Sequence, residues 1–212
     1  MAMPQQRHQL PVRFGQRHNR RPLADQRQAV ALERPGILRL GEQAVRGQDG
    51  AQRREIVDTL TGNLRRGIGE AGTDTVLLRS FSALDLSILA ALELQDPVLD
   101  DAGYRRLLDD ALAYLAAERD LRGIEPRIGW IHATAHTADL LKFLARDPRF
   151  TPADQVRLLD AAWLRMTAPG TPVFTHAEDE RLAAALLSVT RRPDFDPASL
   201  DPWLETFVAL EK

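Results

Sequence analysis

The stretch TPADQVRLLDAAWLRM, residues 151–166, decides the fold class. Thr151 supplies a side-chain oxygen able to accept from the first free amides of a helix, Pro152 fixes φ where an N–H is not needed, and Asp154 places negative charge in the first turn. Apolar residues then recur every three or four positions as far as Met166, so the segment is expected to form an amphipathic helix. The same grammar extends in both directions. Toward the C-terminus, Thr175 and Glu178 have the spacing of a capping box for a helix through Leu182, Leu186 and Val189 to Arg191, and a last helix is expected between Ser199 and Leu210, anchored by Trp203 and Phe207.

Toward the N-terminus, a helix is expected from about Ile128 to Arg146, between Pro126 and Pro148. Before it, one from about Asp100 to Gly123 buries Tyr104, Leu107, Leu108, Leu112 and Leu115. A further one, capped by Thr73 or Asp74, turns Val76, Leu77, Phe81, Leu84, Ile88 and Leu92 inward and ends before Asp96-Pro97. The first runs from about Ala51 to Arg66 with Ile56, Leu60 and Leu64 on one face, stopped by Gly67 and Gly69. No segment alternates as a strand. Seven helices with short connections predict an all-α domain over residues 51–212, its antiparallel pairs stacked as a HEAT-like α/α solenoid, with a helical bundle as the other arrangement.

Residues 1–50 differ in kind. They hold eight of the eleven glutamines and nine arginines against four acids, with no Ser, Thr, Tyr or Trp. Apolar runs are confined to Ala29–Leu32 and Ile37–Val45, separated by Pro35-Gly36. Such a mixture cannot bury enough apolar area to offset ordering, so a poorly ordered leader is expected, or a wrong start or upstream frame error. Removing its charge of +5 leaves −7 on the remainder, which argues against binding duplex nucleic acid. The absence of cysteine excludes disulfides, thiolate metal sites and a cysteine nucleophile. With no long apolar run and no signal-like leader, a cytoplasmic protein without a membrane span is expected.

Five segments occur in order from there to the C-terminus: Gly67-Ile68-Gly69-Glu70, Leu78-Arg79-Ser80-Phe81-Ser82-Ala83-Leu84, Glu118-Arg119-Asp120-Leu121-Arg122-Gly123, Gly129 to Leu140 (GWIHATAHTADL), and Glu178-Asp179-Glu180-Arg181-Leu182. Together they resemble the bacterial family called domain of unknown function 2785, over roughly Ala51 to the end. The Arg/Gln-rich leader departs from that family, whose members carry ordinary helical sequence ahead of the glycine motif. The resemblance implies no activity.

Within these segments, His132, His136 and Asp139 would share one stripe of a continuous helix, at about 0°, 40° and −20°. One reading is a buried polar network in which Arg79, Ser80 and Ser82, or Arg122 and Arg181, pair with Asp120, Asp139 or Glu180. A phosphate or carboxylate clamped by those arginines is another. The third is a divalent transition metal such as zinc on His132 and His136, completed by His176, Glu178, Asp179, Glu180, Glu118 or Asp120. About 10.5 Å of helical rise separates His132 from Asp139, too far for one ion to take all three, which leaves Asp139 as a partner for His136. The network is the first reading, with no metal or cofactor. Glu178, Asp179 and Glu180 suit a first helical turn. Glu118 and Asp120 sit where negative charge is disfavoured, so Arg119 or Arg122 is expected to compensate. Trp130 and Trp163 are expected as core anchors. No phosphate loop or hydrolase triad motif is present. The function expected is a non-catalytic helical scaffold receiving a peptide, a protein or a small acidic ligand, the alternative being a metal-dependent hydrolase with Glu178 or Glu180 as base.

Overall fold

The structure, a computed structural model, describes residues 47–168 and 170–210. The expectations for residues 1–46, including the leader, and for the Phe207 side chain lie outside the described residues. The described chain is mostly helical, with seven α-helices: α1 Gly50–Asn63, α2 Thr75–Glu93, α3 Asp101–Ala117, α4 Ala133–Leu144, α5 Pro152–Thr167, α6 Glu178–Thr190 and α7 Asp201–Leu210. A 3₁₀ turn, Pro197–Leu200, leads into α7.

Local sequence explains most of the boundaries. At α5, Thr151 accepts from the Asp154 N–H while Asp154 accepts from the Thr151 N–H, the reciprocal box that the opening stretch predicts. At α1 the same device is built from Asp49 and Gln52. The predicted box at α6 is absent. Ala177 precedes α6 with φ 67° and no side-chain cap, Thr175 Oγ1 meets His176 Nδ1 instead, and Glu178 turns back to accept from the His176 N–H. Thr151→Ala is therefore expected to cost about 1 kcal/mol in urea unfolding, and Thr175→Ala no more than a few tenths. An equal loss in the two variants would contradict these cap assignments.

The α3–α4 connection corrects the expected helix from Ile128. β1 (Ile124–Glu125) pairs antiparallel with β2 (Gly129–Trp130), Ile124 opposite Trp130, because Pro126 and Gly129, the latter at φ 94°, favour a turn over helix. Helix begins only at Ala133. In α2 the inward face holds Val76, Ile88 and Leu92 as expected, with Leu77 and Leu84 half-buried, but it also holds small residues that the apolar spacing does not pick out. Ser80, Ala83, Ser87 and Ala90 are buried, whereas Phe81 is 43% exposed. These small residues allow the most extensive helix contact of the described fold, between α2 and α4. On α1 the buried face is Arg53 and Val57, with Ile56 and Leu60 half-buried, because Arg53 reaches across to Asp96 at 2.6 Å.

Packing places α2, α4 and α6 side by side. α3 contacts α4 and α5, α5 contacts α6, and α1 packs on α2 and α3. All twelve residues of α4 are buried. The predicted core of α3 is found as expected, with Tyr104, Leu107, Leu108, Leu112 and Leu115 inside. α2 is long and apolar enough to cross a membrane, and 67% of that window is buried inside the domain.

Candidate functional site

The loop between α3 and α4 sets the first side chains. The Ile131 N–H donates to the Gly123 carbonyl at 2.9 Å and the His132 N–H to that of Arg122 at 3.2 Å, so the ribbon is laced to its own entry. His132 ends the ribbon at φ 49°, a left-handed conformation costly for a residue with a Cβ. It therefore caps α4 rather than lying on it, and the expected helical His132/His136/Asp139 stripe is broken at its first member. In this position the His132 ring stacks at 4.3 Å from Trp130 and lies 5.8 Å and 6.5 Å from the rings of His136 and His176. Its Nε2 is buried without a hydrogen-bond partner and stands 3.6 Å from Glu178 Oε1.

His136, one turn into α4, points at α2. Its Nδ1 is 2.8 Å from Ser80 Oγ, and the Ser80 hydroxyl donates to the Ile131 carbonyl, so the imidazole Nδ1–H is the donor of the pair. Burial, with help from His132, pushes the His136 pKa down to about 4 against the opposing pull of Asp139. Burial also lowers His132, against the pull of Glu178. Both rings are neutral at pH 7.

Asp139 acts on His136 through its charge and binds cations directly. Wholly buried, it accepts from Arg181 at 2.5 Å and Lys142 at 3.3 Å, so it joins α4 to α6. Asp139→Ala would leave the buried Lys142 with less negative charge nearby, and a loss of about 1–3 kcal/mol is expected in thermal or urea unfolding, unchanged by chelator. A chelator-dependent loss would assign Asp139 to a metal instead.

A second network begins one residue earlier on α2. Arg79, 0% exposed, forks onto Glu118 through Nε–Oε2 at 2.6 Å and Nη2–Oε1 at 3.1 Å, and its Nη1 donates to the Arg66 carbonyl at 2.9 Å. Arg165 of α5 donates to the Glu118 carbonyl at 3.0 Å. The positive charge expected for Glu118 thus comes from Arg79, not Arg119 or Arg122. Arg122 forks onto Asp120, which also accepts from the Gly72 N–H. Burial would raise Asp120, yet these donors hold it below the ordinary carboxylate value.

The residues singled out in the sequence therefore divide. Ser80, His132, His136, Asp139, Glu178 and Arg181 meet around the starts of α4 and α6. Arg79, Glu118, Asp120 and Arg122 form the neighbouring network. Ser82 is elsewhere, accepting from Asn63, and Asp179 and Glu180 face solvent. Trp130 is 50% exposed, not a core anchor, and Trp163 is half-buried against Trp203. Sequence reasoning missed Arg165 and Lys142, charged residues inside helices, and the role of Gly123. A Cβ on Gly123 would stand 2.5 Å from Glu178 Oε1 and 2.6 Å from His176 Nδ1. Among the described residues, no three His, Asp or Glu side chains already converge on one ion position.

Fold and site together define a helical domain whose layers are joined by buried ion pairs, with an imidazole and indole cluster at one edge. Residues 64–212, beginning where α1 ends, match the family described as protein of unknown function (DUF2785), and the chain belongs to that family. No curated protein and no solved structure matches it.

Proposed function

We propose that this protein is a non-catalytic binding module, a HEAT-like α/α solenoid whose edge at the starts of α4 and α6 receives a peptide or small acidic ligand. The observation that carries this reading is the half-exposed Trp130, with its ring against His132 and His176, together with a 41% exposed Arg181 side chain whose charge acts on His132. An indole face and a guanidinium at the positive ends of two helices are recognition chemistry for a carboxylate-bearing ligand. Ser80, Glu118 and Asp139 are each buried and held by partners, which favours recognition over hydrolysis by these groups. The acidic charge of residues 51–212 favours a protein or metabolite partner over duplex nucleic acid.

Titrating the full chain with citrate and with an Asp/Glu-rich peptide, read by indole emission against Trp130→Phe, tests this. A saturable signal from Trp130, with affinity lowered roughly tenfold by Arg181→Ala, is expected. No saturable response to either probe, or one indifferent to Arg181, would refute the reading.

A further inference from the structure

Seven carboxylates are buried among the described residues, and six of them sit against an arginine or lysine: Glu93 and Asp147 with Arg149, Glu118 with Arg79, Asp120 with Arg122, Asp139 with Arg181 and Lys142, Asp154 with Arg105 and Arg157. Glu178 is the exception. It is 3% exposed, its one hydrogen bond from a described residue is the His176 N–H at Oε2, and the charged-group neighbour of Oε1 is the His132 imidazole. The positive end of α6 accounts for part of its stability, yet Asp154 stands at a helix start too and still has two arginines.

At 3.6 Å, His132 Nε2 and Glu178 Oε1 are too far apart for a hydrogen bond. Two ligands each about 2.0–2.1 Å from one tetrahedral ion lie about 3.4 Å apart. We infer that His132 Nε2 and Glu178 Oε1 are the preset ligands of a divalent transition-metal site, which His176 completes by turning its ring toward them.

Three further features fit that assignment. The two residues other than glycine with positive φ in the described chain are His132 itself and Ala177, which immediately precedes Glu178. Backbone strain is thus spent on aiming these two ligands. The lack of a side chain at Gly123 lets Glu178 Oε1 and His176 Nδ1 approach the same point of the loop. Finally, two imidazoles and one carboxylate suit Zn²⁺, Co²⁺ or Ni²⁺, whereas Mg²⁺ and Ca²⁺ prefer all-oxygen shells. The pair differs from the His132/His136 pairing of the sequence reading, because His136 Nδ1 is engaged by Ser80. The inference rests on this geometry and not on the proposed acidic ligand.

Untagged full-length protein, stripped with chelator and titrated with Co²⁺ alone, reads the site directly. One equivalent is expected, with visible d–d absorption, quenching of Trp130 emission and displacement by Zn²⁺. Glu178→Gln, which keeps the side-chain shape, and His132→Ala are each expected to weaken Co²⁺ binding at least about tenfold, while His136→Gln leaves the stoichiometry at one. Helical circular dichroism confirms that each variant is folded. Failure of the wild type to take up Co²⁺ or Zn²⁺ overturns the inference. So does uptake that survives both His132→Ala and Glu178→Gln, or that His136→Gln alone abolishes.

Discussion

Glu118→Ala is expected to destabilise the domain by about 3–5 kcal/mol, the largest effect of any single change considered for this chain. The substitution leaves the Arg79 guanidinium fully buried on α2, with only the Arg66 carbonyl and Thr75 hydroxyl to satisfy it. It also frees the Arg119 and Asp120 amides, both of which donate to Glu118 Oε1 at 2.9 Å. The loss is expected to come from the stranded charge more than from the pair itself, since a buried ion pair returns little beyond its own desolvation. Arg79→Met in the Glu118→Leu background should therefore recover much of the stability that either single change removes. Urea unfolding of the two single variants and the double variant checks this, and a Glu118→Ala loss below about 1 kcal/mol would show the network to be peripheral.

Acidification should remove roughly 3 kcal/mol of stability through His136. Its folded pKa, about 4, lies below the unfolded value near 6.5, so below pH 6.5 the unfolded chain binds the proton more readily than the folded one. Stability from this group is fully present above pH 6.5 and is lost as the pH falls toward 4. The opposite sign would require a raised folded pKa, which a buried imidazole donating to a neutral serine and facing His132 and Arg181 does not have. The measurement is the pH dependence of unfolding free energy in wild type and His136→Gln. The two curves should converge at low pH, and parallel curves would show that His136 binds its proton equally readily in the folded and the unfolded chain.

How much of this was legible in the sequence depends on the range of the interaction concerned. The α5 start could be read from four consecutive residues because Thr151 and Asp154 satisfy each other. The core of α3 followed equally well from its spacing. The α6 helix runs where its spacing puts it, but the capping box does not form, because Glu178 turns back to the His176 N–H instead of pairing with Thr175. The stripe of His132, His136 and Asp139 assumed helix through Ile128, although Pro126 and Gly129 marked a turn. The charge balancing Glu118 comes from Arg79, 39 residues away, and from Arg165 beyond it; pairings of this range are fixed by how the layers stack. What could be read was that Glu118, at a helix C-terminus, needed a cation from somewhere.

The complete enclosure of α4 has a consequence for how the molecule breathes. A helix of twelve residues, about 18 Å long, with no solvent-facing side cannot open one turn at a time without pulling away from α2 and α6. Its amide protons beyond the first turn should exchange with deuterium only when the whole domain unfolds, whereas the Ile124–Trp130 ribbon, a pair of two-residue strands, can open alone. The slowest amides of α4 then report the global unfolding free energy. The ribbon, which carries the indole against His132, belongs to the fast-exchanging part of the molecule.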